Sequence, residues 1–306
     1  MKEPAGGDFT LFEHRTVALL YFTAGLLGVF GNAVLIRILS RDKPISGSRA
    51  RLHVHFAFAN ILVVVGCFFS GLSSVFGKWL FGPTGCQVYG TVTYTGGMAA
   101  TSLGPALCVQ RYLAQGNPKY DQGGASGALS LLSWMYALII AAGPLLGWNS
   151  YSAESAGTAC GLEWQVADWS HHSMFFVLVL VSCGLLFFAT MYARAAIYGN
   201  AALKDACVPS GDWFSNYQLN WIAVANMAIT GLGFTPYFYF ALWALKYPDV
   251  QMTALASVLP PLAAKISTVF VPLVYVVANR KFRNAFTSMV FGGQEDTASG
   301  GRRKSE

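Results

Sequence analysis

One lysine stands where lysines are rarely tolerated. Lys265 lies near the middle of LPPLAAKISTVFVPLVYVV, an apolar run that holds no other charge. An ammonium at the centre of a membrane helix costs about 2.5–3.5 kcal/mol on insertion scales. Lys265 is too far from either end of the run to snorkel out easily. A chain that keeps such a residue pairs it, neutralises it or modifies it. A lysine held out of water favours the neutral amine, which is a nucleophile toward carbonyl carbon. Schiff-base formation with an aldehyde is the direct chemical use. The plain alternative is a buried amine held by hydroxyls and backbone carbonyls.

The surroundings that this chemistry needs follow from composition. Of the 306 residues, 54% are hydrophobic and only 11% charged, with a mean hydropathy of +0.46. Soluble domains carry about 25% charged residues, so lipid must cover most of this surface. Seven apolar stretches are long enough to cross a bilayer: 17–39, 52–76, 86–113, 127–147, 173–198, 217–245 and 252–278. The expected fold is therefore an all-α membrane protein, a seven-transmembrane-helix bundle. After it, RKFRNAFTSMVF (280–291) alternates basic and apolar residues at helical spacing, which predicts a short amphipathic helix on the cytoplasmic interface. The expected division is an extracellular N-terminus at 1–16, the bundle at 17–278, and the amphipathic helix and tail at 279–306.

Lysine and arginine counts orient the chain. Fifteen lie on the side that holds the C-terminus and four on the other: Lys2, Arg15, Lys78 and Lys246. This predicts an extracellular N-terminus and a cytoplasmic C-terminus. The net charge of +6 follows that asymmetry and gives no reason to expect nucleic acid. The start, MKEPAGGDFT, has no basic stretch leading into an apolar run, so the first span is expected to act as its own membrane signal.

With that topology, all fourteen carboxylates fall outside the spans, so a counter-charge for Lys265 must come from a loop. Of the six cysteines, only Cys86, opening the third span, and Cys160, in the second extracellular loop, face the oxidising side. They are the natural disulfide pair, drawing that loop over the bundle. Glu154 and Glu163 flank Cys160 and are the best counter-charges. No Gly-rich phosphate loop, metal-spaced Cys/His cluster or nucleophile triad is apparent, and no metal is expected. His53 and His55 read as interface residues at the cytoplasmic start of the second span, and His171-His172 as an interfacial pair rather than metal ligands.

Several motifs in order resemble one family, the animal opsins among the rhodopsin-like G-protein-coupled receptors. They are Gly31-Asn32 in the first span, WLFGPTGCQVYG leading to Cys86, Trp134 with PLLGW at 144–148, and the loop GWNSYSAESAGTACGLEW. FTPY at 234–237 and AAKISTVFVPLVYVVANRKFRNAF complete the set, with Lys265 seven residues before Pro272. The resemblance covers nearly the whole chain apart from the tails and the third cytoplasmic loop. It implies that Lys265 carries retinal, 11-cis or all-trans, as a Schiff base. Glu154, six residues before Cys160, matches the loop glutamate that serves as counterion in many non-visual opsins. Tyr89 stands at the position of the third-span glutamate counterion of vertebrate visual opsins. Tyr89, Met98, Phe234 and Tyr237 would line the pocket.

For signalling, the resemblance implies a heterotrimeric G-protein partner, with Arg111, Tyr112, Pro272 and Tyr275 in the coupling machinery. The departures are Gln110 where an acidic residue precedes Arg-Tyr, Asn60 for the second-span aspartate, and Val271 for the asparagine before Pro272. Phe234 replaces the usual tryptophan and Gly184 the fifth-span proline. The pattern is similar to the divergent group of peropsin, neuropsin and retinal photoisomerases. The implied function is a light-sensing receptor, the alternative a photoisomerase converting all-trans to 11-cis retinal.

Overall fold

A computed structural model describes residues 9–45, 49–116, 124–163, 166, 168–198, 211–247 and 253–292. Most of the expected third cytoplasmic loop and the tail after 292 lie outside the described residues. The helices are α1 (Leu11–Arg41), α2 (Arg49–Phe76), α3 (Gly82–Gly116), α4 (Gly124–Ala142), α5 (Trp169–Tyr198), α6 (Asn216–Lys246), α7 (Ala254–Ala278) and α8 (Arg280–Phe291). Seven are the expected spans, several extended by a turn or more, and α8 keeps its expected bounds. The fourth is shorter than expected: α4 gives way at Gly143 to a 3-10 turn, Gly143–Leu146, where Pro144 has no N–H to continue the ladder. A hairpin of β1 (Tyr151–Ala153) and β2 (Cys160–Leu162), antiparallel with Ala153 opposite Cys160, lies between α4 and α5.

Helix ends are fixed by capping side chains. Thr10 with Glu13 and Ser215 with Gln218 form reciprocal capping boxes at α1 and α6. Asn279 caps α8 by accepting from the Phe282 amide at 3.1 Å. The α7–α8 corner is therefore made by a single residue.

Close approach holds the bundle together. A Cβ on Gly31 would lie 2.8 Å from Pro272 Cγ, so only glycine lets α1 pack against α7 there. The next residue, Asn32, is fully buried and donates to Thr268 O at 3.1 Å, across the same contact. α3 runs through the middle, packed on α2, α4, α5 and α6. Among the described residues, four segments, Leu11–Arg41, Arg49–Phe76, Ala125–Leu146 and Ala254–Ala278, are long and apolar enough to cross a membrane by composition alone. The Gly-, Thr- and Ser-rich α3 is not among them, as suits a helix that faces protein more than lipid.

Candidate functional site: a buried amine beside a roofed cavity

Lys265 sits on α7 and is 3% exposed. Pro260, Pro261 and Pro272 lie within the helix on either side of it. Its Nζ donates to the Tyr89 hydroxyl on α3 at 3.0 Å, and that hydroxyl shares a 2.7 Å hydrogen bond with Ser70 Oγ on α2. The rings of Tyr89 and Tyr21 flank the amine, with centroids at 5.4 and 5.6 Å, within cation–π range. The buried lysine is thus solvated by a phenol and two aromatic faces.

The amine borders a cavity of about 420 Å3, inside the span of roughly 300–1,000 Å3 usual for small-molecule sites. Its walls are mainly apolar and include Met98, Phe234 and Tyr237. All three had been expected to line a pocket. Phe234 stacks on Tyr237 at 6.3 Å, and Tyr237 meets Tyr94 edge-on at 6.1 Å. Tyr89 is beside the amine rather than in the cavity wall.

The hairpin forms the roof. Cys86 at the start of α3 is disulfide-bonded to Cys160, as topology predicted. Tyr151 donates its hydroxyl to Ala141 O at 2.9 Å, and the Leu162 amide donates to the Tyr94 hydroxyl at 3.3 Å. Cys160 and Leu162 both face the cavity. Glu154, just after β1, turns inward so that its Oε2 is buried with no hydrogen-bond partner. Burial pushes its carboxyl up to about 8, while the Lys265 ammonium pulls the other way. The Glu163 backbone helps hold the hairpin, its amide donating to Ser150 O at 2.9 Å. The site therefore brings one buried amine and one buried carboxyl group into electrostatic reach without closing an ion pair. An added group carrying a positive charge toward Glu154 fits this arrangement.

At the α8 end of the bundle a second cluster gathers the other expected residues. Arg111 is 3% exposed; its Nε donates to Asn220 Oδ1 and its Nη2 to Asn216 Oδ1, both at 2.9 Å. Gln110 donates to Ser126 Oγ at 2.6 Å. Tyr112 is 42% exposed. Tyr275, one turn after Pro272, is fully buried. Its hydroxyl pairs with His53 Nδ1 at 2.7 Å and accepts from Asn226 Nδ2 at 3.3 Å. His53 is thus a buried network member, contrary to the interface position expected for it. Asn60 turns back on its own helix, donating to Phe56 O at 2.8 Å. Sequence reasoning missed Ser70, Tyr21, His53, Asn216, Asn220 and Asn226. The available signal was polar residues inside apolar spans, which a search for charge passes over.

Comparison with known proteins agrees with this architecture. The pattern of the 7 transmembrane receptor (rhodopsin family) matches residues 31–275. The chain is 27% identical over 296 residues to the human visual pigment-like receptor peropsin, covering 94% of this chain and 88% of that protein. To the retinochrome of Todarodes pacificus it is 28% identical over 272 residues, covering 87% and 90%. The crystal structure of squid rhodopsin superposes with a TM-score of 0.79 at 19% identity, covering 95% of this chain and 90% of that one. With the seven-helix bundle, the Cys86–Cys160 bridge and these relatives together, the chain belongs to the rhodopsin family of seven-transmembrane receptors, as a divergent, multi-pass animal opsin similar to peropsin and retinochrome.

Proposed function

We propose that this protein is a light-sensing opsin in which Lys265 holds retinal through a Schiff base and Glu154 is the counterion. The observation that carries the reading is the pairing of a 3% exposed amine at an apolar cavity with a buried carboxylate oxygen that has no hydrogen-bond partner. Condensation of the amine with an aldehyde releases one water and leaves a nitrogen whose protonated form needs a negative partner. Glu154 supplies that charge, Tyr89 donates or accepts beside the nitrogen, and Met98, Phe234 and Tyr237 confine the polyene. Retinal itself supplies a double bond whose light-driven isomerisation changes the shape that the cavity must hold. Such a change shifts the bundle only so far as the two isomers fit its two states differently.

In this reading the N-terminus is extracellular, as the fifteen-to-four distribution of lysine and arginine supports. Arg111, Tyr112, Pro272 and Tyr275 then lie at the cytoplasmic end, where a heterotrimeric G protein would engage. Gln110 before Arg111 and Val271 before Pro272 leave that end short of two polar switch parts. This favours a second reading, a photoisomerase that turns all-trans retinal into the 11-cis form with little signalling.

Spectra of retinal-reconstituted protein test the attachment, wild type beside Lys265→Ala. A visible or near-ultraviolet band that survives acid denaturation is expected only with the lysine present. Borohydride reduction should leave a retinyl adduct on Lys265, and an unmodified lysine in mass spectra rejects the photopigment. Light-dependent nucleotide exchange on a G protein then separates the two readings. Clear production of one isomer with no exchange selects the photoisomerase.

A further inference from the structure

Just before α6, the chain folds back across the α8 end of the bundle. Asp212 is paired with Arg49 at the start of α2 at 2.6 Å, with side chains 1% and 5% exposed. The next residue, Trp213, donates its amide to Pro44 O at 2.9 Å, in the turn between α1 and α2. Its carbonyl accepts from Asn279 Nδ2 at 2.6 Å, at the α7–α8 corner. Phe214 is 1% exposed and packs on Tyr275 and Phe282, with ring centroids at 6.3 and 5.7 Å. Gln218, in the first turn of α6, donates to Ala278 O at 2.7 Å. Asn216 accepts from Arg111. Five of the seven residues from 212 to 218 thus lash the start of α6 to the α1–α2 turn, to α2, to α3, to α7 and to α8.

We infer that residues 212–214 form an intramolecular clasp, an autoinhibitory segment that occupies the mouth a partner must enter to reach Arg111. Resting on the receptor reading for its purpose, it assigns the closed state to chain-specific contacts rather than to a carboxylate beside Arg111. A charge pair that is nearly out of water is costly to break, so removing either member should loosen the segment. The Arg49–Asp212 pair is therefore the latch. Phe214 is the wedge, filling an apolar shelf made by Tyr275 and Phe282. The backbone bond from Trp213 to Pro44 is the reporter, because it exists only while the segment is seated. Opening requires the start of α6 to leave α2 and the α7–α8 corner together.

The test uses the full chain in detergent micelles, in darkness. Amide hydrogen exchange at Trp213 is followed in wild type, Asp212→Asn, Arg49→Gln and the exchanged pair Arg49→Asp with Asp212→Arg. Each single variant should speed Trp213 exchange about tenfold or more, with amides around Lys265 unchanged. The exchanged pair should recover at least half of the lost protection. Unaltered Trp213 exchange in both single variants overturns the clasp, as does an exchanged pair no slower than the singles. A Phe214→Ala variant, which removes no charge, provides a second route: faster Trp213 exchange is expected, and none overturns the wedge. Dark nucleotide exchange on an added G protein is read in parallel and should rise at least threefold in the single variants. A released Trp213 amide with no nucleotide exchange in any variant leaves the clasp standing and rejects the receptor reading instead.

Discussion

The Tyr89 hydroxyl stands 3.0 Å from Lys265 Nζ and is shared at 2.7 Å with Ser70 Oγ, so one phenol joins α3 to both α7 and α2. Replacing it by phenylalanine strands a buried amine and a buried hydroxyl at once. Tyr89→Phe should destabilise the chromophore-free protein by about 1–3 kcal/mol, seen as a lower thermal midpoint. In the retinal-loaded protein a neutral phenol is not the counterion, so the band of Tyr89→Phe should shift only modestly.

Glu154→Gln should behave in the opposite way. Removing the negative charge destabilises a protonated nitrogen nearby, and the absorption of the loaded protein should move from the visible into the ultraviolet at neutral pH. An unchanged spectrum and pH titration would assign the counterion elsewhere.

The same carboxyl sets a pH dependence in the chromophore-free protein. Burial raises it to about 8 in the fold, against about 4.3 in an unfolded chain. Folding therefore favours the protonated form. Its contribution is complete below about pH 4.3 and is lost as pH rises through about 8. The melting temperature should accordingly fall between pH 5.5 and pH 8.5 in wild type, and fall less in Glu154→Gln.

The Cys86–Cys160 bridge closes a loop of sequence separation 74. On loop-closure entropy its loss costs up to about 4.5 kcal/mol. Cys86→Ser with Cys160→Ser should lower the thermal midpoint and also weaken retinal retention, because β2 carries part of the cavity wall. Hydroxylamine sensitivity of the loaded protein, higher in the double variant, reports the loosened roof.

Packing of α2 against α3 offers a sharper contrast. A Cβ on Gly96 would lie 2.7 Å from Leu62 Cβ and 2.8 Å from both Ala59 O and Val63 N, where backbone cannot easily yield. Gly96→Ala should cost about 1–3 kcal/mol through overpacking. Gly184→Ala meets nothing within 4 Å and should be neutral or slightly stabilising. Equal melting shifts for the two variants would refute this account.

What the sequence disclosed depended on how strongly each feature departs from its background. Lys265 is conspicuous because nothing else charged lies in its span. Cys86 and Cys160 are conspicuous because topology leaves them alone on one side. The bounds of α8 are marked by Asn279 and by alternating basic and apolar residues. The short end of α4 was less visible, since Pro144 and Gly147 sit in an apolar stretch that hydropathy alone extends to a full span. The Tyr275 network was invisible for another reason. His53 and Asn226 are 173 positions apart and meet only because α2, α6 and α7 converge. Asp212 carried the least signal: a lone acid before an amphipathic start looks solvated until Arg49 is brought against it.

The polarity of α3 bears on how the protein is made. Its glycines, threonines and serines suit a helix surrounded by protein, yet at the ribosome it emerges before α4 to α7 exist to surround it. Partition into hydrocarbon rewards leucine-rich segments and penalises this one. Its entry into the bilayer should therefore be coupled to docking on α2 and then α4 rather than complete as each segment leaves the channel. Biogenesis, more than the finished fold, is where substitutions along α3 should exact their toll.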